Sequence, residues 1–177
     1  MEEPRPDDVR SAREPASTTM SETSTSPAAL EDLCRQMLVE MLTLMGHTLQ
    51  VETRIEEDRI VASITGEGSS ELIGRRGQTL DALQFILNRM LNRTAPDRRP
   101  VVVDSGGYRQ RRIEALKDLA QQLGDKVRRS GKAVAVNPMS AHDRRVIHMT
   151  LREVPGLSTR SEGDGEERRI LIVPASD

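Results

Sequence analysis

Tryptophan is absent from this 177-residue sequence, and phenylalanine, tyrosine and cysteine occur once each, as Phe85, Tyr108 and Cys34. One Phe and one Tyr cannot build a surface that stacks several bases on aromatic rings, so any base contact must be aliphatic or polar. A lone cysteine excludes a disulfide framework, and no group of His, Cys or carboxylates has metal-ligand spacing, so neither a metal nor another cofactor is expected. No stretch approaches the roughly 18 consecutive apolar residues of a membrane span, and the first residues lack the basic-then-apolar order of a secretion signal. These absences lead us to expect a soluble protein of the reducing cytoplasm, with no direct membrane insertion.

What is present is charge, and it is unevenly distributed. The formal net charge is −2, but residues 1 to 32 carry eight acids and three arginines, which leaves +3 for the remainder. Residues 74 to 132 hold fourteen Lys/Arg against six Asp/Glu, a local excess that the whole-chain sum conceals. Twenty-three of the 26 basic residues are Arg, whose planar fork suits bidentate contacts to phosphate, although a genome rich in G and C gives the same bias.

Residues 1 to 26, rich in Glu, Pro, Ser and Thr without an apolar period, are expected to be a disordered acidic tail. From Ser26-Pro27, an N-cap followed by Pro at the first helical position, Leu30, Leu33, Met37, Leu38, Met41, Leu42 and Met45 recur at helical spacing as far as Gly46. Cys34 lies on that stripe and reads as core packing. Val51, Thr53, Ile55 and then Ile60, Ala62, Ile64 alternate with polar residues and predict a hairpin. A short helix capped by Ser69 or Ser70, a glycine turn, a helix from Gln78 to about Asn92 and a strand at Val101-Val102-Val103 complete the order α-β-β-α-α-β over residues 27–104. Residues 105–177 predict α-β-α-β-β: a long helix from Tyr108 to about Ser130 with Ile113, Leu116, Ala120, Leu123 and Val127 inward, a strand at Ala133 to Val136, a helix from the capping-box-like Ser140 to about Leu151, and a hairpin of Leu157 to Ser161 with Arg168 to Val173. The fold class expected is α+β in two units.

Gly74-Arg75-Arg76-Gly77 joins two helical segments. Glycine admits φ > 0 and close approach of a nucleic-acid backbone, while the amides opening the next helix and two guanidiniums face the anion. This spacing is common by chance; its context carries the weight. A helix, glycine turn and helix, preceded by a hairpin and followed by a strand, resembles the KH (K homology) arrangement of the bacterial second type, which implies that the turn clamps the sugar-phosphate backbone beside an apolar groove. Ile64, Ile73 and Leu80 are expected near that groove or in the core beneath it.

Arg144 and His148 form an i, i+4 pair on one helix face and could grip one phosphate. With Asn137-Pro138-Met139-Ser140 before them and Ser158-Thr159-Arg160-Ser161-Glu162-Gly163 after, they resemble the single-stranded nucleic-acid-binding domain named for its Arg-x-x-x-His spacing. Together with Gly74-Arg75-Arg76-Gly77-Gln78-Thr79-Leu80 and Gly107-Tyr108-Arg109-Gln110-Arg111-Arg112, the chain resembles the bacterial Jag family, also called SpoIIIJ-associated protein or KhpB, over about residues 30 to 174. That resemblance implies a cytoplasmic single-stranded RNA-binding protein, an RNA chaperone or post-transcriptional regulator linked to cell envelope growth and division, working with a small partner that has only a KH domain. Many members begin with an additional folded domain and a charged linker, where this chain has residues 1–26. Gly74, Arg75, Arg76 and Gly77 map onto the KH loop, and Arg144 and His148 onto the pair that names the second domain. Arg109, Arg111 and Arg112, at the start of the long helix, could extend the phosphate track, or be solvated or paired with Asp104; Tyr108 stacks on a base or packs at the junction.

Sequence-tolerant RNA binding by two tethered domains is therefore the leading expectation, with single-stranded DNA as a second candidate ligand and no catalytic residues. A ribonuclease using His148 with Arg144 is the enzymatic alternative. The remaining histidines are only His47 and His142, and His142 lies about 120° from His148 around the helix, unsuited to an opposing role. A protein adaptor is the third class.

Overall fold

The computed structural model describes residues 26–94 and 99–175; residues 1–25, expected to be a disordered tail, lie outside them. Helix α1 (Pro27–Leu44) starts as the sequence predicts, with Ser26 Oγ accepting from Ala29 N–H at 3.2 Å. Leu30, Cys34, Leu38 and Leu42 are its buried stripe, while Met45, beyond the last turn, is exposed. Each leucine of that stripe contributes roughly 2 kcal/mol by leaving water.

Strands β1 (Gln50–Glu56) and β2 (Arg59–Thr65) pair antiparallel with Val51 opposite Ile64 and Ile55 opposite Ile60. Between β2 and β3 (Val101–Ser105) the pairing is parallel, so the chain must cross over, and it does so through the glycine turn and helix α2 (Gln78–Thr94). The alternate residues Ile60, Ala62, Ile64, Val101 and Val103 point to one side, where α1 and the Leu80, Leu83, Leu87, Leu91 stripe of α2 close the first core. The predicted short helix at Ser69–Ile73 is a 3-10 segment. Five residues between Gly68 and Gly74 leave too little chain for a ladder of i to i+4 bonds.

The outer edge of β3 is covered by side chains of α2. Asn88 Oδ1 accepts from Val101 N–H and Asn88 Nδ2 donates to Val101 O, both at 2.8 Å, and Gln84 Oε1 accepts from Val103 N–H at 3.1 Å. The two amides reproduce what a neighbouring strand would supply.

Helix α3 (Tyr108–Ser130) and helix α4 (Ala141–Leu151) pack on a second sheet of order β4-β6-β5, made of β4 (Val134–Ala135), β5 (Leu157–Glu162) and β6 (Arg169–Pro174). Leu116, Ala120 and Val127 of α3 meet Ile147 and Leu151 of α4 and Ile170 and Ile172 of β6. Gly124 completes the buried α3 stripe, while Ile113 and Leu123, expected on it, are only partly buried; a Cβ on Gly124 would lie 2.9 Å from Leu157 Cδ1 and 3.1 Å from Leu151 Cδ2. Its missing side chain lets α3 approach both neighbours.

Only Gly106 and Gly107 separate β3 from α3, and the first turn of α3 is fastened to the first unit. Tyr108 packs against the first core. Arg109 donates from Nε to Val103 O (2.7 Å) and from Nη2 to Gln84 Oε1 (3.0 Å), and its Nη1 is 3.0 Å from Asp81 Oδ1. The short tether expected between two domains is instead a packed junction.

Candidate functional site

Each glycine of the loop is required for a separate reason. Gly74 has φ 65° and ψ −167°, a region open in practice only to glycine, and a Cβ there would run into the Thr79 side chain. Gly77 has φ 86°, and a Cβ on it would sit 2.9 Å from Tyr108 Cε1. Between them Arg76 takes a left-handed conformation (φ 56°, ψ 30°). Its guanidinium donates to the carbonyl of Pro138, across the junction. Arg75 is exposed and has no hydrogen-bond or ion-pair partner among the described residues. One loop arginine therefore bridges the units, and the other is available to an anion.

Helix α4 begins at Ser140, whose Oγ accepts from Asp143 N–H at 3.2 Å. The capping-box expectation is half met, because the Asp143 carboxylate does not return to the cap. It takes two bonds from Arg112, Nε at 3.2 Å and Nη2 at 2.8 Å. One turn on, Arg144 Nη1 donates to Met139 O (3.2 Å) and Arg168 O (3.4 Å), which anchors one side of its fork. His148 Nδ1 lies 2.6 Å from Thr159 Oγ1 on β5. Arg144, Arg145, His148, Thr159 and Ser161 line one shallow depression of about 340 Å³, so the helical spacing does bring the arginine and histidine to one surface.

The arginines opening α3 divide differently from the expectation. Asp104 caps the helix by accepting from Arg109 N–H at 3.0 Å and pairs with none of the three guanidiniums. Arg109 goes to Asp81, Gln84 and Val103 as described, Arg112 goes to Asp143, and Arg111 folds back to the Gly106 carbonyl. Their acceptors are protein groups. Two of the three residues placed near an apolar groove are core: Ile64 and Leu80 are fully buried, and only Ile73 is half-exposed.

A larger cleft, about 840 Å³, opens between the units. Arg75 and Arg76 line its first-unit wall, and Asn137, Ser140, Arg144, Glu166, Glu167 and Arg168 its second-unit wall. Arg168, like Arg75, is exposed and has no side-chain partner among the described residues. Asn137, Arg168 and Thr159 had no role assigned from sequence, because what distinguishes them is position across the fold and not spacing along the chain.

Tyr108, against Gly77, has its hydroxyl pKa raised by burial, with smaller effects from Arg112, which lowers it, and Asp143, which raises it. Among the described residues no group of three His, Cys, Asp or Glu side chains could hold a metal ion, and no helix is long and apolar enough to cross a membrane.

Comparison with known proteins follows the same division. A model of the KhpA/KhpB KH domain matches residues 31–103, and a model of the domain named for Arg and His separated by three residues matches residues 114–174. The chain is 33% identical over 145 residues to a Clostridium symbiosum protein named RNA-binding protein KhpB, covering 81% of this chain and 65% of that one. It is 40% identical over 111 residues to the RNA-binding protein KhpB of Bacillus subtilis (strain 168), covering 62% and 53%. For the protein of the same name from Streptococcus pneumoniae serotype 2 the identity is 25% over 147 residues, covering 81% and 44%. The chain thus spans between 44% and 65% of the length of these relatives.

Proposed function

We propose that this chain, which belongs to the KhpB (Jag) family, binds single-stranded RNA through two phosphate-contacting sites and performs no catalysis on it. The sites are the Gly74–Gly77 loop, with Arg75 as its free cation, and the Arg144–His148 pair, carried by two units at residues 27–104 and 105–177. The observation that carries the reading is that Arg75 and Arg144, from motifs of different units, line one cleft. An anionic polymer crossing that cleft meets both. With Tyr108 packed against Gly77 and Phe85 the one other aromatic, no multi-ring platform is available for base stacking, so phosphate contacts dominate and sequence preference is weak.

Catalysis is disfavoured by where the histidines stand. His148 opens on the depression with Arg144, whereas His142 lines a separate one with Ile113 and Lys117. A general acid and a general base on opposite sides of one phosphodiester need two groups in one pocket. RNA as ligand puts the work of the protein in the cytoplasm, as a chaperone or post-transcriptional regulator; the companion with a single KH domain and the link to cell envelope and division belong to the same proposal.

Fluorescence anisotropy with a labelled oligouridylate tests it. Wild type should bind, with affinity falling steeply from about 50 to about 200 mM salt. Arg75→Asp and Arg144→Gln should each weaken binding about tenfold, and the RNA should be recovered intact. Equal affinities for wild type and both variants, or cleavage lost in His148→Ala, would overturn the reading; an oligodeoxyuridylate arm reports whether DNA is accepted.

A further inference from the structure

We infer that the cleft between the units is itself a nucleotide subsite, with Arg168 and Asn137 as its ligand-contacting side chains, so that the loop and the Arg144–His148 face read one unbroken stretch of RNA. This rests on the RNA-binding reading above and extends it from two tethered contacts to one rigid track.

Four observations lead there. The walls of the cleft are joined where Arg76 donates to Pro138 O, and the second-unit wall is itself held together by Met139 N–H donating to Arg168 O at 3.2 Å and Val136 N–H donating to Ile170 O at 2.9 Å. The segment carrying Asn137 is thereby held between the glycine loop and β6. The cleft, at about 840 Å³, falls in the range of pockets that enclose a small molecule, about 300–1,000 Å³, and so has room for a nucleotide. Arg168 lines it with no side-chain acceptor among the described residues, unlike Arg109, Arg111 and Arg112, whose guanidiniums are all engaged. Finally, the junction is too tightly packed at Tyr108 and Arg109 for the two motifs to take distant segments of RNA independently.

The chemistry follows from the side chains. Arg168 offers a planar fork to a phosphodiester oxygen pair. Asn137 offers both a donor and an acceptor, suited to a ribose 2′-hydroxyl or a base edge. Glu166 and Glu167, which also line the cleft, repel phosphate and favour a path along its four arginines, Arg75, Arg76, Arg144 and Arg168. The ligand is the linking nucleotide between those held at Arg75 and at Arg144.

The experiment compares wild type, Arg168→Glu and the milder Arg168→Gln on oligouridylates of about four nucleotides, the reach of one KH loop, and about twelve. The Arg168 side chain has no partner among the described residues, and unchanged melting curves verify that the variants fold. The affinity of the longer RNA should drop about tenfold in Arg168→Glu and about threefold in Arg168→Gln, with the salt slope shallower by about 0.7. The shortest RNA should bind all three proteins within about twofold. In parallel, a longer RNA with one central 4-thiouridine should crosslink to peptides containing Asn137 and Arg168. Wild-type RNA binding that is indifferent to both variants, or crosslinks confined to other segments, would overturn the cleft subsite and leave the RNA-binding reading standing. Absence of RNA binding by wild type at any length would remove both.

Discussion

Arg112, one turn into α3, lies 2.8 Å from the carboxylate of Asp143, in the first turn of α4, and that carboxylate is only 7% exposed. The pair fixes the helix carrying Arg144 and His148 to the helix whose start is packed on the first unit. Removing the cation would leave a buried, uncompensated charge. Arg112→Ala should therefore destabilise the protein by about 3 kcal/mol in urea unfolding. Asp143→Asn keeps a hydrogen-bonding partner for a guanidinium that is 25% exposed, and should cost about half as much. Equal stability of Arg112→Ala and wild type would show that the pair holds nothing.

Gly77 and Gly131 form a matched comparison. Both have positive φ, 86° and 64°, but a Cβ on Gly77 meets Tyr108 at 2.9 Å while one on Gly131 meets nothing within 4 Å. Gly131→Ala should cost the backbone penalty alone, about 1 kcal/mol. Gly77→Ala should cost about 2 to 3 kcal/mol, because the Tyr108 ring must also give way. Thermal melts of the two variants measure the difference, and equal losses would mean that the ring moves freely.

Thr159 holds His148 by a 2.6 Å hydrogen bond. Thr159→Val preserves shape and removes that bond, and should weaken oligouridylate binding about fivefold, near the ~1 kcal/mol worth of one hydrogen bond. Thr159→Ser should restore affinity without any change in melting temperature in either variant. A loss not rescued by serine would assign the effect to packing.

Burial pushes the Cys34 thiol from 9.0 up to about 12, with the charge of Glu31 adding to the shift. The native state thus keeps its proton while the unfolded chain releases it. This contribution to stability is intact below the unfolded pKa of 9.0 and is lost as pH rises toward about 12, by at most about 1.4 kcal/mol per pH unit. Urea midpoints between about pH 8 and about pH 10 should fall more for wild type than for Cys34→Ala. A thiol-specific chromogenic reagent should react with wild type only after unfolding.

What could be read in the sequence was local. The Leu30, Leu38, Leu42 stripe, the hairpin, the caps at Ser26 and Ser140 and the glycine turn each depend on residues within a few positions of one another, and their spacing carries the geometry. The engagements of the α3 arginines do not. Asp104, adjacent in sequence, was the natural partner to expect, yet Arg109 reaches Asp81 and Arg112 reaches Asp143, 28 and 31 residues away. Burial of Ile64 and Leu80 similarly depends on what α1 lays over them. The cleft had no linear signature, because its walls come from segments near residues 75, 137 and 168.

The Asn88 fork on β3 governs how this protein can associate with copies of itself. With the outer groups of β3 already answered by α2, the first sheet has one flank left for strand recruitment, β1. There Glu52, Arg54 and Glu56 line the exposed side with alternating sign, and Arg54 is tied to Glu56 at 2.7 Å. Ribbon-like polymerisation needs two open flanks on each subunit. The amides of Asn88 and Gln84, with the Arg109 guanidinium on Val103 O, therefore stand between a sheet that terminates and one that could template its own extension.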